Sequence, residues 1–150
     1  MKKFEFSLQK VMEVRQTEEK VLQRVLADAR HKLLEAREDL EALLHKLDQH
    51  LERKGKMHSV TMNSARYMLL QNYIQLLEEN IDISRKRIVE LEKEENEARE
   101  KLLEKSKQKK AIEKLRDNRF DEYRREMKKE EQVFLDEITA QNGNQKAMWK

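Results

Sequence analysis

The chain has 150 residues, of which 37% are hydrophobic and 42% are charged, and this is too few apolar side chains for a globular core. Cysteine and proline are absent and glycine occurs twice, which excludes a disulfide framework and thiolate metal sites and leaves helices almost uninterrupted. The net charge of +3 arises from 33 basic and 30 acidic residues, which is weak evidence for a polyanionic partner.

A highly charged chain with few aromatic residues is also typical of disordered proteins, so hydrophobic periodicity has to decide between helices and disorder. The N-terminus lacks the apolar run of a signal peptide, and no stretch approaches the roughly 18 consecutive apolar residues of a membrane span. These features predict a cytoplasmic protein.

The first predicted element is a helix over about residues 7–54. Ser7 is its predicted N-cap, because a serine hydroxyl can accept a hydrogen bond from an unpaired amide of the first turn. Apolar residues then follow at alternating steps of four and three, which is the pattern of a coiled-coil seam. These residues are Leu22, Leu26, Ala29, Leu33, Ala36, Leu40, Leu43 and Leu47.

The second predicted element is a connection over residues 55–64. The stretch KGKMHSVTMNSA, residues 54–65, holds Gly55 and a cluster of Ser, Thr and Asn without heptad spacing. Tyr and Met side chains gather at and just after this stretch, and such side chains offer adaptable apolar area to a partner. They are Met57, Met62, Tyr67, Met68 and Tyr73.

The third predicted element is a helix over about residues 65–141, followed by a frayed tail over 142–150 in which Trp149 either anchors a partner or touches nothing. The heptad spacing returns in the same register, and polar residues enter it toward the end. The seam positions are Leu70, Ile74, Leu77, Ile81, Ser84, Ile88, Leu91, Glu95, Ala98, Leu102, Lys105, Lys109 and Ile112.

Neither seam can stay exposed, so the helices are expected to fold back on each other. The predicted fold is all-α, a long antiparallel two-helix coiled-coil hairpin that forms a single domain, with the second helix overhanging. Pairing outward from the connection places residue 7 opposite about 112. The overhang then carries an apolar stripe without a partner in the hairpin, which predicts contact with another protein. The stripe is Phe120, Tyr123, Met127 and Phe134.

The same seams could instead pair by swapping between two chains, and the sequence leaves this alternative open, since both arrangements bury the same residues.

Residues 101–130, which we call the basic segment, carry 12 basic and 7 acidic side chains, whereas residues 76–100 carry 5 basic and 9 acidic ones. Basic-zipper proteins also join a basic helix to heptads, but there the basic region precedes the zipper. The acidic residues on most sides of this helix would face repulsion from phosphates. A protein-binding helix or a solvated charged helix is therefore favoured over specific nucleic-acid binding.

The sequence contains no motif that indicates catalysis. Its four histidines do not form the i,i+4 pair with an intervening Glu that helical zinc hydrolases use, and no glycine-rich phosphate loop occurs. Without a concave core, neighbouring carboxylates have no pocket that could make them catalytic. We expect no enzyme activity, no metal, no cofactor and no small-molecule substrate.

Three groups of residues, in order along the chain, carry a resemblance to a known family. They are Phe4, Phe6, Leu8, Val11, Arg15 and Glu18, then Ala65, Tyr73, Ile74, Leu77 and Ile81, then Tyr123, Glu126, Glu131, Gln132, Leu135 and Asp136. With the stretch EKSKQKKAIEKL, they resemble the F-x-F-x-L-x-x-V, S/A-x-Y-I-x-x-L, K-x-x-x-R-K-x-x-E-x-L and E-Q-x-x-L-D-E patterns of the FliJ family. This family is a coiled-coil component of the bacterial flagellar type III export apparatus, with relatives in virulence secretion systems. Where it often has Glu-Arg-Lys, this chain has Gln108, Lys109 and Lys110.

The resemblance implies a non-enzymatic coiled coil, similar to the stalk subunit of rotary ATPases, whose helical ends occupy the pore of a hexameric export ATPase. It also implies contacts with the membrane-embedded export gate and with export chaperones. The implied location is the cytoplasmic side of the inner membrane, at the base of the flagellum.

We hypothesise that the basic segment contacts the ATPase and that the hairpin tip contacts the export gate. The expected charge contacts to the ATPase are Lys105, Lys109, Lys110, Arg116, Arg119, Arg124 and Arg125, and the expected packing contacts are Phe120, Tyr123 and Met127. The expected gate contacts are Met62, Tyr67, Met68, Tyr73 and Leu76. The alternative function is a generic coiled-coil scaffold or homodimeric adaptor, and the sequence leaves open whether a flagellar or a virulence system is served.

Overall fold

The computed structural model describes residues 2–57 and 64–148. This part of the chain consists of two helices, α1 (Gln9–Met57) and α2 (Ser64–Met148), which pack against each other as a helical hairpin. Arg30 pairs with Glu95 and Arg37 with Glu92, so the partner number falls as the first number rises, which is an antiparallel arrangement. The predicted all-α hairpin is confirmed.

Both helices extend further than predicted. Helix α1 continues through Gly55 to Met57, and α2 continues through Gly143 to Met148, where a frayed tail was expected from residue 142. One glycine inside a helix costs only about 1 kcal/mol, and neither glycine has a positive φ. The core of the predicted connection, residues 58–63, and Trp149 lie outside the described residues.

Residues 19–104 form one compact unit whose core is the predicted seam. Leu33 and Ala36 of α1 pack with Ile88 and Leu91 of α2, and Leu40 lies against this cluster. The buried seam residues of this unit are Leu26, Leu33, Ala36, Ile74, Leu77, Ile81, Ile88, Leu91 and Ala98. The half-buried ones are Leu22, Ala29, Leu40, Leu43, Leu47, Leu70, Ser84, Glu95 and Leu102. Helix-on-helix burial of this stripe is what holds the unit together.

Charged side chains at the edge of this seam bridge the two helices. Glu95 accepts from Arg30 of α1 at 3.4 Å and from Arg99 of its own helix at 2.6 Å. The hydrogen bond from Arg99, with a smaller contribution from Arg30, lowers the pKa of Glu95 below its ordinary value and outweighs the opposing effect of desolvation. Glu95 therefore stays ionised at a seam position that would otherwise hold an apolar residue.

Residues 1–18 and 105–150 form a second compact unit. Here the seam positions Lys105, Lys109 and Ile112 are half-buried, and α1 gives way to a non-helical segment, residues 2–8, which we call the strap. The strap packs along α2 as far as Met127, and every described residue after Met127 is exposed.

The register and the start of the uncovered part of α2 differ from the sequence expectation. Ser7 contacts Arg119 rather than lying opposite about 112, two turns further along α2. A similar offset is already present at Arg30, which pairs with Glu95, so it arises nearer the connection, where α1 runs three residues past its predicted end.

Of the stripe predicted to lack a partner, Phe120 and Tyr123 contact Phe4 of the strap and Met127 lines a cleft with it. Phe134 is exposed as predicted, and the uncovered part begins at 128.

Candidate functional site

The strap has the alternation of an extended segment with one covered side. Phe4, Phe6 and Leu8 are half-buried or buried, whereas Lys3, Glu5 and Ser7 are exposed. Side chains two residues apart in an extended chain lie on the same side, so both phenylalanines are directed toward the same partner. The F-x-F pattern therefore places both phenylalanines on the covered side of the strap, where Phe4 contacts α2.

An aromatic cluster joins the strap to α2. The Phe4 ring lies edge-on to Phe120, with centroids 5.2 Å apart and an interplanar angle of 74°, and 5.5 Å from the Tyr123 ring. Phe120 and Tyr123 are one helical turn apart and lie 6.4 Å from each other. Phe120 is still 42% exposed, so the cluster is open to solvent on one side.

Two polar contacts and one cation contact hold the strap beside this cluster. Arg119 donates from Nη1 to the Ser7 hydroxyl at 2.8 Å, and its guanidinium lies 5.8 Å from the Phe6 ring centroid. The Tyr123 hydroxyl donates to the backbone oxygen of Lys2 at 2.7 Å. Ser7, predicted as an N-cap, therefore uses its hydroxyl as an acceptor for Arg119, one residue before the Leu8 carbonyl begins the α1 ladder.

The predicted cationic contacts of the basic segment divide into two groups. Lys105 pairs with Glu18 at 3.4 Å and Lys109 with Glu113 at 3.7 Å. Of the exposed cations, Arg119 donates to Ser7 and Arg124 lies 5.9 Å from the Phe120 ring centroid. Lys110, Arg116 and Arg125 form no ion pair with any described residue. The free group offers charge to a partner without first breaking an internal contact.

A groove near the hairpin tip is the second candidate surface. It has a volume of about 540 Å³ and lies within residues 19–104. The His50 ring packs edge-on against Tyr73 at 4.7 Å and forms one wall. The lining is His50, Met57, Arg66, Leu69, Leu70, Asn72, Tyr73 and Leu76.

Of the predicted gate contacts, Tyr73 and Leu76 line this groove, while Met68 is 65% exposed beside it. Tyr67 is half-buried, with the Lys54 amine 5.9 Å from its ring centroid. Met62 lies outside the described residues.

A family model described as flagellar FliJ protein matches residues 4–148. The chain belongs to the FliJ family. No curated protein and no solved structure matches it at a significant level.

FliJ membership makes the protein a component of the flagellar export apparatus, from a family of non-enzymatic export proteins. The resemblance to the FliJ family is thus confirmed, and the matching family model is that of the flagellar protein. The FliJ match begins at Phe4, so it includes residues 4–8 of the strap as well as α2.

Sequence reasoning used Phe4 and Phe6 only as part of a family pattern and missed their partners. The signal that could have found them is the alternation of apolar and polar residues over 4–8, which indicates an extended segment and not the start of a helix. The matching stripe of Phe120 and Tyr123 was identified, but was assigned to a partner protein.

The described part of the FliJ chain offers no sign of a metal or membrane-spanning site. Within residues 2–57 and 64–148, no group of three His, Asp or Glu side chains is placed to hold a metal ion. Neither helix contains a stretch apolar enough to cross a membrane over the residues described.

Proposed function

We propose that this FliJ-family protein binds a hexameric export ATPase through the basic segment of α2 and stimulates ATP hydrolysis without catalysing it. The same protein binds the export gate through the tip groove and delivers export chaperones, which places it against the inner membrane at the base of the flagellum. Family membership supports an export component, and the surfaces described above support the division of labour.

The observation that carries the ATPase assignment is the set of unpaired cations on α2. Lys110, Arg116 and Arg125 are exposed and form no ion pair with the residues that the structure describes. At about 100° per residue, Lys110 and Arg125 lie about 60° apart around the helix and Arg116 lies on its other side, so a surrounding pore would meet cations on two sides of α2. Carboxylates on the inner surface of the ring are the complementary chemistry.

The test is steady-state ATP hydrolysis by the cognate ATPase, titrated with the full chain. Changing Lys110, Arg116 and Arg125 together to Gln should raise the concentration for half-maximal stimulation by about tenfold or more. The matched control changes Arg85, Lys86 and Arg87 to Gln, which removes the same charge from exposed positions of the other unit. Equal stimulation by both variants would sink the assignment, and no stimulation by the unmodified chain would favour a generic scaffold.

The tip groove supports the second contact, because its lining is largely apolar and open to a partner side chain. Replacing Met68 and Leu76 with Ser should reduce binding to the cytoplasmic part of the gate and reduce export, while ATPase stimulation stays unchanged. Ile83 and Val89, both 65% exposed, provide the matched apolar-to-Ser control. Loss of gate binding and ATPase stimulation together would mean misfolding and not a gate site.

Chaperone delivery rests on family membership alone, and no surface of the described residues is assigned to it. Pull-down of export chaperones with the tip variant and with the charge variant would show which of the two surfaces they need. Retention by both variants would place the chaperone site elsewhere on the chain.

A further inference from the structure

We propose that the strap, residues 2–8, is a detachable cover that closes over the ATPase-binding face of α2 and is displaced when the ATPase binds. This inference rests on the proposed function, because it assigns the aromatic pair Phe120 and Tyr123 to the same partner. It adds a closed state in which the chain covers part of its own docking surface.

The strap is held by contacts that a single partner could replace. Its links to α2 are the Phe4 ring contacts, the hydrogen bonds of Arg119 and Tyr123, and the burial of Phe6. The backbone hydrogen bonds that Gln9 donates to Phe6 and Met12 donates to Leu8 tie the strap to α1 and not to α2. Detachment therefore leaves the hydrogen-bond ladders of both helices intact.

The covered residues lie among the unpaired cations. Arg116 lies on the same side of α2 as Phe120 and Tyr123 and lines a cleft with Phe4 and Phe6, so a partner drawn by this charge reaches the aromatic cluster. A partner cannot reach the faces of Phe120 and Tyr123 that contact Phe4 until the strap is displaced.

The occupant that replaces the strap is defined by the groups it must satisfy. An apolar or aromatic side chain takes the place of Phe4 against the two rings. A carboxylate takes the place of the Ser7 hydroxyl as acceptor for Arg119, which is a charge-assisted bond and stronger than the neutral acceptor it replaces. The exchange thus favours an acidic and apolar segment of the ATPase over the strap.

The charged side chains at the beginning of the strap attract α2 only weakly, so that the strap can bind α2 and leave it again. Lys2 and Lys3 line a cleft of about 700 Å³ together with Glu126 and Glu130 of α2, so opposite charges face each other across solvent. Such exposed pairs contribute little to stability, and the attraction is screened by salt. Closure should accordingly weaken as ionic strength rises.

Fluorine NMR of the full chain labelled with 4-fluorophenylalanine tests the opening without any partner. The four phenylalanines give four resonances, of which Phe4, Phe6 and Phe120 report on the strap and Phe134, 62% exposed beyond it, is the internal control. We expect two-state exchange for the first three, with an open population of about 1–10%, and none for Phe134. Rings of Phe4 and Phe120 that separate only on global unfolding would overturn the proposal.

ATPase titrations test what displaces the strap. Changing Phe4 to Ala removes the cover and leaves Phe120 and Tyr123 in place, so the concentration for half-maximal stimulation should fall by about tenfold or more, as expected when a fractionally open site becomes fully open. Changing Ile83, which is 65% exposed and lies outside the basic segment, to Ala should leave it unchanged. In the labelled chain, added ATPase should move the Phe4 resonance to that of a free ring.

The outcomes separate the two proposals. Weaker stimulation by the Phe4 variant would make the strap part of the binding surface and overturn the cover. Stimulation while the Phe4 ring stays packed would do the same. If the unmodified chain does not stimulate the ATPase at all, the proposed function fails and the ATPase is overturned as the occupant, whereas exchange of Phe4 in the chain alone still decides whether the strap opens.

Discussion

The unit of residues 19–104 and the unit formed by residues 1–18 and 105–150 use the same two helices in different ways. In the first, apolar seam residues from both helices bury one another, as Leu33 and Leu91 do. In the second, lysines enter the seam, a non-helical strap replaces α1, and α2 ends without cover. The difference indicates that stability is concentrated in one unit and replaceable contacts in the other.

The largest effect should come from the apolar seam. Changing Ile81, which is 4% exposed, to Ala should lower the free energy of unfolding by about 2–4 kcal/mol, because the lost side chain leaves a cavity between the helices. Changing Ile83, which is 65% exposed on the same helix, to Ala should change it by less than about 0.5 kcal/mol. Urea unfolding followed by circular dichroism measures both changes. Similar losses of unfolding free energy at Ile81 and Ile83 would contradict the idea that stability is concentrated in the buried seam.

A lysine in the seam of the other unit allows the opposite experiment. Changing Lys105 to Leu should raise the free energy of unfolding by about 1 kcal/mol, since a half-buried seam position gains apolar contact and loses only a partly exposed ion pair with Glu18. Lys107, which is exposed, changed to Leu is the control. A loss of stability at Lys105 would mean that its pair with Glu18 outweighs the apolar contact.

Removing one hydroxyl should loosen the strap without disturbing either helix. Changing Tyr123 to Phe keeps the ring contact with Phe4 and deletes the hydrogen bond to Lys2, so the open population seen by fluorine NMR should rise by about fivefold. Tyr73 changed to Phe retains its ring contact with His50 and should leave that population unchanged. No difference between the two variants would show that the hydroxyl does not hold the strap.

The smallest effect concerns the ion pairs at Glu95. The folded-state pKa of Glu95 lies below its ordinary value of 4.5. The ion pairs therefore stabilise the fold fully above the ordinary pKa, and this stabilisation is lost as the pH falls through the lowered folded-state pKa. Glu95 changed to Gln should lower the thermal midpoint slightly near neutral pH and leave it unchanged in strong acid. Glu94 changed to Gln, on an exposed position, is the reference. A pH-independent difference would exclude ionisation as its cause.

Heptad spacing sufficed to predict the two helices, their antiparallel pairing and the buried stripe that includes Leu26 and Leu77, because burial of an apolar stripe follows directly from a 3–4 repeat. The register was misjudged, since repeats that are equivalent by one or two heptads do not fix it. Long-range polar contacts such as Ser7 with Arg119 fix it in the structure.

The candidate site was only half predictable. Its cations and aromatic stripe stand out in the sequence of α2, but the strap has no helical period and its partners lie far away in the chain. Which cations are free, as Lys110 and Arg116 are, and which are paired, as Lys105 is, depends on side-chain neighbours that spacing alone does not give.

The two hydrogen bonds of the strap join residues 112 and 121 positions apart, which sets an order of events during synthesis. The strap leaves the ribosome 112 to 121 residues before Arg119 and Tyr123, and synthesis proceeds at about 5–20 residues per second. Phe4 and Phe6 therefore spend seconds without their partners. Because pairing of α1 with α2 brings the strap beside α2 and shortens the loop that remains to be closed, we expect docking of the strap to follow the pairing of the helices.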